Sequence, residues 1–130
     1  MPSVIDIRRM KSSDLTTLHT ICCEAYSQNF YHHWEEGGLE NYINKVFGID
    51  ILKNELGDKK IQYYVAFTNN EPVAFMKLNL FSNLPGLDIN KCLELDKIYI
   101  LPKFRGLKIG KKLLESAFDV AKDFKRRISR

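Results

Sequence analysis

The hydrophobic positions of this chain alternate, then recur at helical spacing, then alternate again. In residues 3–8, Ile5 and Ile7 fall opposite Val4, Asp6 and Arg8, the period-2 pattern of a strand. Ser12, Ser13 and Asp14 offer helix caps. Leu15, Leu18, Ile21, Cys22, Ala25 and Tyr26 follow at helical spacing, so a helix is predicted to about Ser27. Residues 29–38 read as irregular, aromatic and acidic. Residues 40–47 and 49–56 read as two short helices, the second closed by Gly57-Asp58. Residues 61–68 are rich in β-branched and aromatic side chains, Asn69-Asn70-Glu71 makes a hairpin turn, and residues 72–80 return as the partner strand. A loop with Pro85-Gly86 is expected at 82–90, and a further strand at 92–101 ends at Pro102. A last helix is predicted from about Leu107, with Ile109, Leu113, Leu114, Ala117, Phe118 and Ala121 as its core-packed side.

This order of strand, helices, three strands and helix is that of a mixed α/β domain. The length of 130 residues fits one domain, and nothing in residues 1–130 reads as a repeat or an interdomain linker. Such a chain buries roughly two-thirds of its unfolded surface. No apolar run approaches the roughly 20 residues of a membrane span, and the first ten residues lack the pattern of a signal peptide. Cys22, Cys23 and Cys92 do not make a disulfide framework, which points to reduced thiols and a cytoplasmic protein.

Charge adds a clue that hydrophobicity does not. From Lys103 onward there are ten Lys/Arg and three Asp/Glu, whereas the preceding residues carry a slight acidic excess. A basic third of this kind serves a nucleic acid or a phosphorylated small molecule. The first reading lacks an aromatic-interleaved strand surface and a recognised helix motif, so no nucleic-acid partner is expected. The second has a concrete carrier. Residues 93–122 run as strand, glycine-bearing basic loop and helix, with Arg105, Gly106, Leu107, Lys108, Ile109, Gly110 and Lys111 at the junction. A helix N-terminus presents unpaired N–H groups and about half a positive charge. A glycine there lets the backbone approach a phosphate. Taken alone, the loop is equally well read as a basic turn facing solvent.

The pattern extends beyond the loop. Residues 93–122 resemble the acetyl-CoA-binding motif of the GCN5-related N-acetyltransferase (GNAT) superfamily, in which a strand precedes Arg/Gln-x-x-Gly-x-Gly/Ala at a helix start. Arg105 matches the first position and Gly110 the last. The order of elements agrees over essentially the whole chain. Lys77-Leu78-Asn79 and Leu93-Glu94-Leu95 with Ile98-Tyr99 bring it nearest to bacterial polyamine acetyltransferases of the PaiA type.

The resemblance implies an α/β (α+β) fold, a mostly antiparallel sheet flanked by helices, in a single domain over 1–130. It implies acetyl-CoA as co-substrate, no metal, and a small-molecule primary amine such as spermidine or spermine as acceptor. Backbone N–H groups from Arg105 to Gly110, with Lys111, are then expected at the pyrophosphate. The main chain of Ile98, Tyr99 and Ile100 is expected along the pantetheine arm. Glu94, eleven residues before Arg105, takes the position of the family's basic glutamate; Asp96 lies two residues on, on the same strand face. The alternative for this pair is a polar strand face or a salt-bridged pair.

Two departures accompany the resemblance. Lys108 stands where the family has its first motif glycine. Family members also continue past this helix with further strands and a helix, whereas residues 124–130 read FKRRISR without apolar alternation. The expectation is a domain incomplete at its C-terminus, with a sheet edge that a second copy would cover as a homodimer. The competing function is a truncated, catalytically weak acyl-CoA-binding module. Among lesser candidates, Tyr31, Trp34 and Glu35 sit where the family places its acceptor-binding loop, ready to stack on or attract a cationic end. The plainer reading there is a solvated loop with one packed aromatic. His32 and His33 are adjacent and no Cys/His set converges with them, which argues against a metal site.

Overall fold

The computed structural model describes the backbone of residues 4–80 and 93–128, and side chains as far as residue 123. The expected loop at 82–90, Cys92 and the side chains of the basic tail lie outside the described residues. The elements run β1 (Ile5–Arg9), α1 (Leu15–Phe30), α2 (Gly38–Phe47), α3 (Ile49–Leu56), β2 (Ile61–Thr68), β3 (Glu71–Leu80), β4 (Leu93–Ile100) and α4 (Ile109–Ile128). Short 3-10 turns at Ser12–Asp14, Tyr31–His33 and Pro102–Phe104 lead into or out of the helices.

The four described strands form one antiparallel sheet in the order β1-β2-β3-β4. The β2–β3 hairpin turns through Asn69 (φ 53) and Asn70 (φ 64). Asparagine tolerates this left-handed pair, and the resulting twist matches the strands. Two bulges interrupt the ladders. Between β2 and β3, Ala66 opposes Ala74 and Phe67 opposes Pro72, which leaves Val73 over. Between β3 and β4, Lys77 opposes Lys97 and Leu78 opposes Leu95, so Asp96 is the extra residue.

Each sheet face has its own core. On one side, Leu18, Ile21, Cys22, Ala25 and Tyr26 of α1 pack with Phe47, Leu52, Tyr63, Val65 and Phe75. On the other, Ile109, Leu113 and Ala117 of α4 cover Ala66, Ala74, Met76 and Leu78. Phe75 and Met76 are both fully buried although they point to opposite faces. Burial on both faces is why β3 reads as a continuous apolar run.

Two sequence expectations need revision. Helix α1 runs three residues past Ser27, because Phe30 continues its apolar stripe and meets Tyr99 edge-on at 5.4 Å. Phe118 and Leu114 do not pack in the core: Phe118 is 66% exposed and Leu114 39%. Ile109, Leu113 and Ala117 recur every four residues and take the sheet-facing stripe, while Leu114 and Phe118 lie one residue, or about 100°, further round. Accordingly, Leu113→Ala is expected to cost about 2–5 kcal/mol in urea unfolding, as a buried leucine truncation does. Phe118→Ser should change stability by no more than about 0.5 kcal/mol. Equal losses would show the stripe to be wrongly placed.

Candidate active site

The junction between β4 and α4 is built by a change of backbone direction over eight residues. Pro102 ends the strand and starts a 3-10 turn, whose last N–H, that of Arg105, returns to the Pro102 carbonyl at 3.2 Å. Gly106 (φ 85) and Lys108 (φ 63) then take left-handed conformations on either side of exposed Leu107. Lys112 N–H closes the first helical bond, onto the Lys108 carbonyl at 3.1 Å. The amides of Ile109, Gly110 and Lys111 therefore point out of the helix end, where the dipole favours an anion. Of the run Arg105–Gly110, the Arg105 amide is already spent inside the turn.

Gly110 has a reason of its own. A Cβ there would come within 3.3 Å of Ile100 Cδ1, so a bare backbone lets the first turn of α4 lie against β4. Lys108 occupies backbone that favours glycine, and it stands at the position where the motif has one.

An open groove of about 450 Å³ runs beside this helix end, lined by Asn29, Phe30, Ile98, Tyr99, Ile100, Arg105 and Gly110. That is within the usual range for a small-molecule site. Its floor is the outer edge of β4. Leu101 N–H turns inward to Val73 at 2.9 Å, and the Ile100 carbonyl turns outward to accept from Asn29 Nδ2 at 2.8 Å. Antiparallel alternation then puts the N–H and C=O of Ile98 and the N–H of Ile100 on the outer side as well. The main chain of Tyr99 faces β3 instead; its ring lines the groove and meets Tyr26, Phe30 and Phe75 edge-on at 5.4–5.7 Å.

Asn29 was not visible as a site residue in the sequence. Its Nδ2 also donates to Ala25 O at 2.7 Å, and its Oδ1 accepts from the Arg105 guanidinium. One amide thus ties the end of α1 to β4 and to the basic loop. The only signal for it was a polar residue beside Phe30 at a helix end.

On the α1 face of β4, Glu94 and Asp96 converge on Asn79. Its Nδ2 donates to Glu94 Oε1 at 2.9 Å and to Asp96 Oδ2 at 3.0 Å. Asp96 also pairs with Lys77 at 3.4 Å and Lys97 at 3.2 Å. Burial alone would raise the Asp96 carboxyl, but the Asn79 amide and the Lys97 and Lys77 ammoniums outweigh it and hold it below the ordinary range. The salt-bridged reading therefore describes Asp96. Buried Lys77 reaches Glu55 of α3 at 2.7 Å, and Glu55 accepts from Tyr63 Oη at 2.5 Å. Burial, and then the bond to Glu55, push the Tyr63 phenol far up.

Tyr31, Trp34 and Glu35 lie in and just after the turn that follows α1. Trp34 packs on Tyr42 at 5.1 Å, Tyr42 stacks on Tyr26 at 4.7 Å, and Tyr26 meets Tyr99 at 5.7 Å. This aromatic file connects the turn to β4, while Tyr31 is exposed and touches His32. Among the described residues, no group of three His, Cys, Asp or Glu is placed to hold a metal ion. None of their helices is long and apolar enough to cross a membrane.

The sequence profile of the Acetyltransferase (GNAT) family matches residues 15–129, which include this basic helix start and the strand before it. The chain belongs to the GNAT acetyltransferase family. It is similar to the spermidine N(1)-acetyltransferase of Thermoplasma acidophilum, with 26% identity over 122 residues that cover 91% of this chain and 71% of that protein. Its fold superposes on the crystal structure of the PaiA N-acetyltransferase of Thermoplasma acidophilum in complex with coenzyme A, with a TM-score of 0.76, 25% identity and 92% and 73% of the two chains covered. The ribosomal-protein-alanine N-acetyltransferase of Brucella melitensis shares the fold at a TM-score of 0.63 and 17% identity, with 94% and 74% covered.

The left-handed Lys108 makes a direct prediction. Replacing Lys108 with glycine removes a strain of about 1–2 kcal/mol, offset in part by the freedom glycine adds to the unfolded chain. Lys108→Gly should thus raise the urea midpoint at an unchanged slope. A lower midpoint would mean that the side chain stabilises the loop by more than its backbone costs.

Proposed function

We propose that this GNAT family member transfers the acetyl group of acetyl-CoA to a primary amine of a small molecule, a polyamine being the class that the related spermidine N(1)-acetyltransferase supports. The observation that carries the reading is the junction itself: outward amides at the start of α4 adjoin the outer edge of β4, and Glu94 lies on that same strand.

The residues fit the cofactor. The amides of Ile109, Gly110 and Lys111, with the side chains of Arg105, Lys108 and Lys111, suit a pyrophosphate at a helix N-terminus. Gly106 and Leu107 complete the loop around it. The outward N–H and C=O of Ile98 and the N–H of Ile100 suit the amides of the pantetheine arm as an added strand would, and the Tyr99 ring walls the groove beside them. Bound acetyl-CoA supplies the acetyl group as a thioester. An outward amide of β4 is placed to donate to its carbonyl, where negative charge develops on attack.

The acceptor poses a protonation problem. An alkylammonium with a pKa of about 10.4 is not nucleophilic, and having it neutral at pH 7 costs about 4.6 kcal/mol. A base must take the proton as the nitrogen attacks. Glu94, held by Asn79 at 2.9 Å, is assigned that role, directly or through one water. Asp96 adds negative charge beside it, and Tyr31, Trp34 and Glu35, in and after the turn that follows α1, are assigned to the acceptor's cationic end.

Glu94→Gln keeps the amide contact but loses the base. It should lower kcat by about 10²–10⁴-fold in a thiol-release assay with acetyl-CoA and a panel of amines, while coenzyme A binds as before. Activity within threefold of the parent would remove Glu94 from the role. Lys108→Gly should retain or improve coenzyme A affinity on calorimetry, since the backbone then comes nearer the phosphates; a tenfold loss would refute this and show that the Lys108 ammonium contributes more than the closer backbone. Coenzyme A binding without thiol release for any amine would favour a binding module over an enzyme.

A further inference from the structure

The Asn29 amide joins α1 to β4 and to the basic loop, partners that lie 71 and 76 residues away in sequence. Its Nδ2 donates to Ala25 O at 2.7 Å, one turn back on α1, and to Ile100 O at 2.8 Å, at the end of β4. Its Oδ1 accepts from Nη2 of Arg105. These partners settle which way the amide points: two carbonyls need its nitrogen and a guanidinium needs its oxygen. Both N–H bonds of Nδ2 are engaged, and the side chain is folded back on its own helix and partly buried. The oxygen it offers is therefore a fixed point.

Arg105 is the opposite kind of group. It is exposed and long, and ordering such a side chain on a ligand costs conformational entropy. Asn29 confines it before a ligand arrives. Both residues line the groove together with Gly110, in the first turn of α4, so the guanidinium is tethered at the same helix end as the outward amides. The tether needs only one of the five guanidinium N–H donors. Its chemistry matters as much as its place. A carboxylate would grip the guanidinium harder and cancel its positive charge, whereas a neutral amide oxygen holds the group with that charge intact.

We propose that Asn29 is a positioning residue that holds the charged Arg105 guanidinium beside the start of α4, ready for the cofactor pyrophosphate. This rests on the reading of that helix start as the pyrophosphate site. The bond to Ile100 serves the same end, because it fixes Asn29 to the strand that leads into the loop. The gain is preorganisation. It is expressed in coenzyme A affinity, and only through Arg105.

A double-mutant cycle on coenzyme A affinity, read by calorimetry, separates this role from a purely structural tie between α1 and β4. Asn29→Ala should weaken coenzyme A by about three- to tenfold in the parent background. In the Arg105→Ala background the same substitution should change affinity by less than about twofold, because no guanidinium is left to position. Equal losses in both backgrounds would overturn the proposal, as would an unchanged affinity in Asn29→Ala. Asn29→Asp retains an acceptor for Arg105 but cancels its charge, so it should lose at least as much affinity as Asn29→Ala; an aspartate variant that binds like the parent would sink the argument. If Asn29→Ala does not fold, Asn29→Ser replaces it in the cycle. A serine hydroxyl still returns to the Ala25 carbonyl but has no amide oxygen to offer Arg105.

One measurement needs no substitution at all. In nitrogen NMR of the parent without coenzyme A, the Arg105 guanidinium should rotate slowly and show separate Nη signals. A freely rotating group would count decisively against the tether. If the parent does not bind coenzyme A, or binds it no better than Arg105→Ala does, the pyrophosphate reading itself falls and takes the proposal with it. Additive losses in variants that still bind coenzyme A remove the role of Asn29 alone.

Discussion

The structure turns on the state of one strand. β4 is held along its inner edge and on both faces, while its outer edge is paired with no described strand. The inner edge is paired with β3 over Leu93–Ile100. One face is fixed by Tyr99 against Tyr26, Phe30 and Phe75, the other by Ile98 and Ile100 against the core under α4. Among the described residues no strand pairs with the outer edge, and an edge held in this way suits strand-like recognition of an extended ligand. Asn29 marks where this edge stops being available, since it already occupies the Ile100 carbonyl.

β4 also fixes the distance between Glu94 and the basic loop, the two halves of the proposed site. Glu94 lies near the start of the strand and the basic loop follows its end, so the seven residues from Glu94 to Ile100 act as a ruler of about 20 Å. The ruler holds only if the strand cannot slip, and a one-residue slip would exchange its faces. The bulge at Asp96, the buried Lys77 beneath it and the Asn29 clamp at the far end all oppose such a slip. Polar contacts in an otherwise apolar core thereby set register, a use of buried ionic groups that packing alone does not supply.

Much of this was legible in the sequence because local and tertiary preferences agree. The hairpin followed from Asn69-Asn70, the helices from their spacing, and the basic strand–loop–helix junction from Pro102, the glycines and the cations after it. What was not legible depends on pairs distant in sequence. Asn29 and Arg105 are 76 residues apart, and Lys77 and Glu55 are 22 apart. Neither pair has a periodicity that announces it. Phe118 shows the opposite failure: an apolar residue at near-helical spacing reads as core, and only the positions of the neighbouring elements decide which stripe is covered. Glu94 and Asp96 could be grouped from the sequence, and both accept from Asn79, but the bulge that brings Asp96 to Lys77 had no sequence signal.

Lys108 shows how charge and local strain are combined at the loop. Two left-handed residues are needed to bring the chain from the 3-10 turn at Pro102 into α4 with its amides outward, and Gly106 satisfies the first at no steric cost. At the second a lysine bears the strain of about 1–2 kcal/mol. Such a cost persists at functional sites where the surrounding structure over-determines the backbone. Here Gly110, packed against Ile100, fixes where α4 begins, and the Lys112–Lys108 bond fixes the residue before it. The conformation is imposed from the helix side. The side chain then adds a positive charge beside the outward amides, so on the proposed reading glycine and lysine at this position are alternative answers to holding one phosphate.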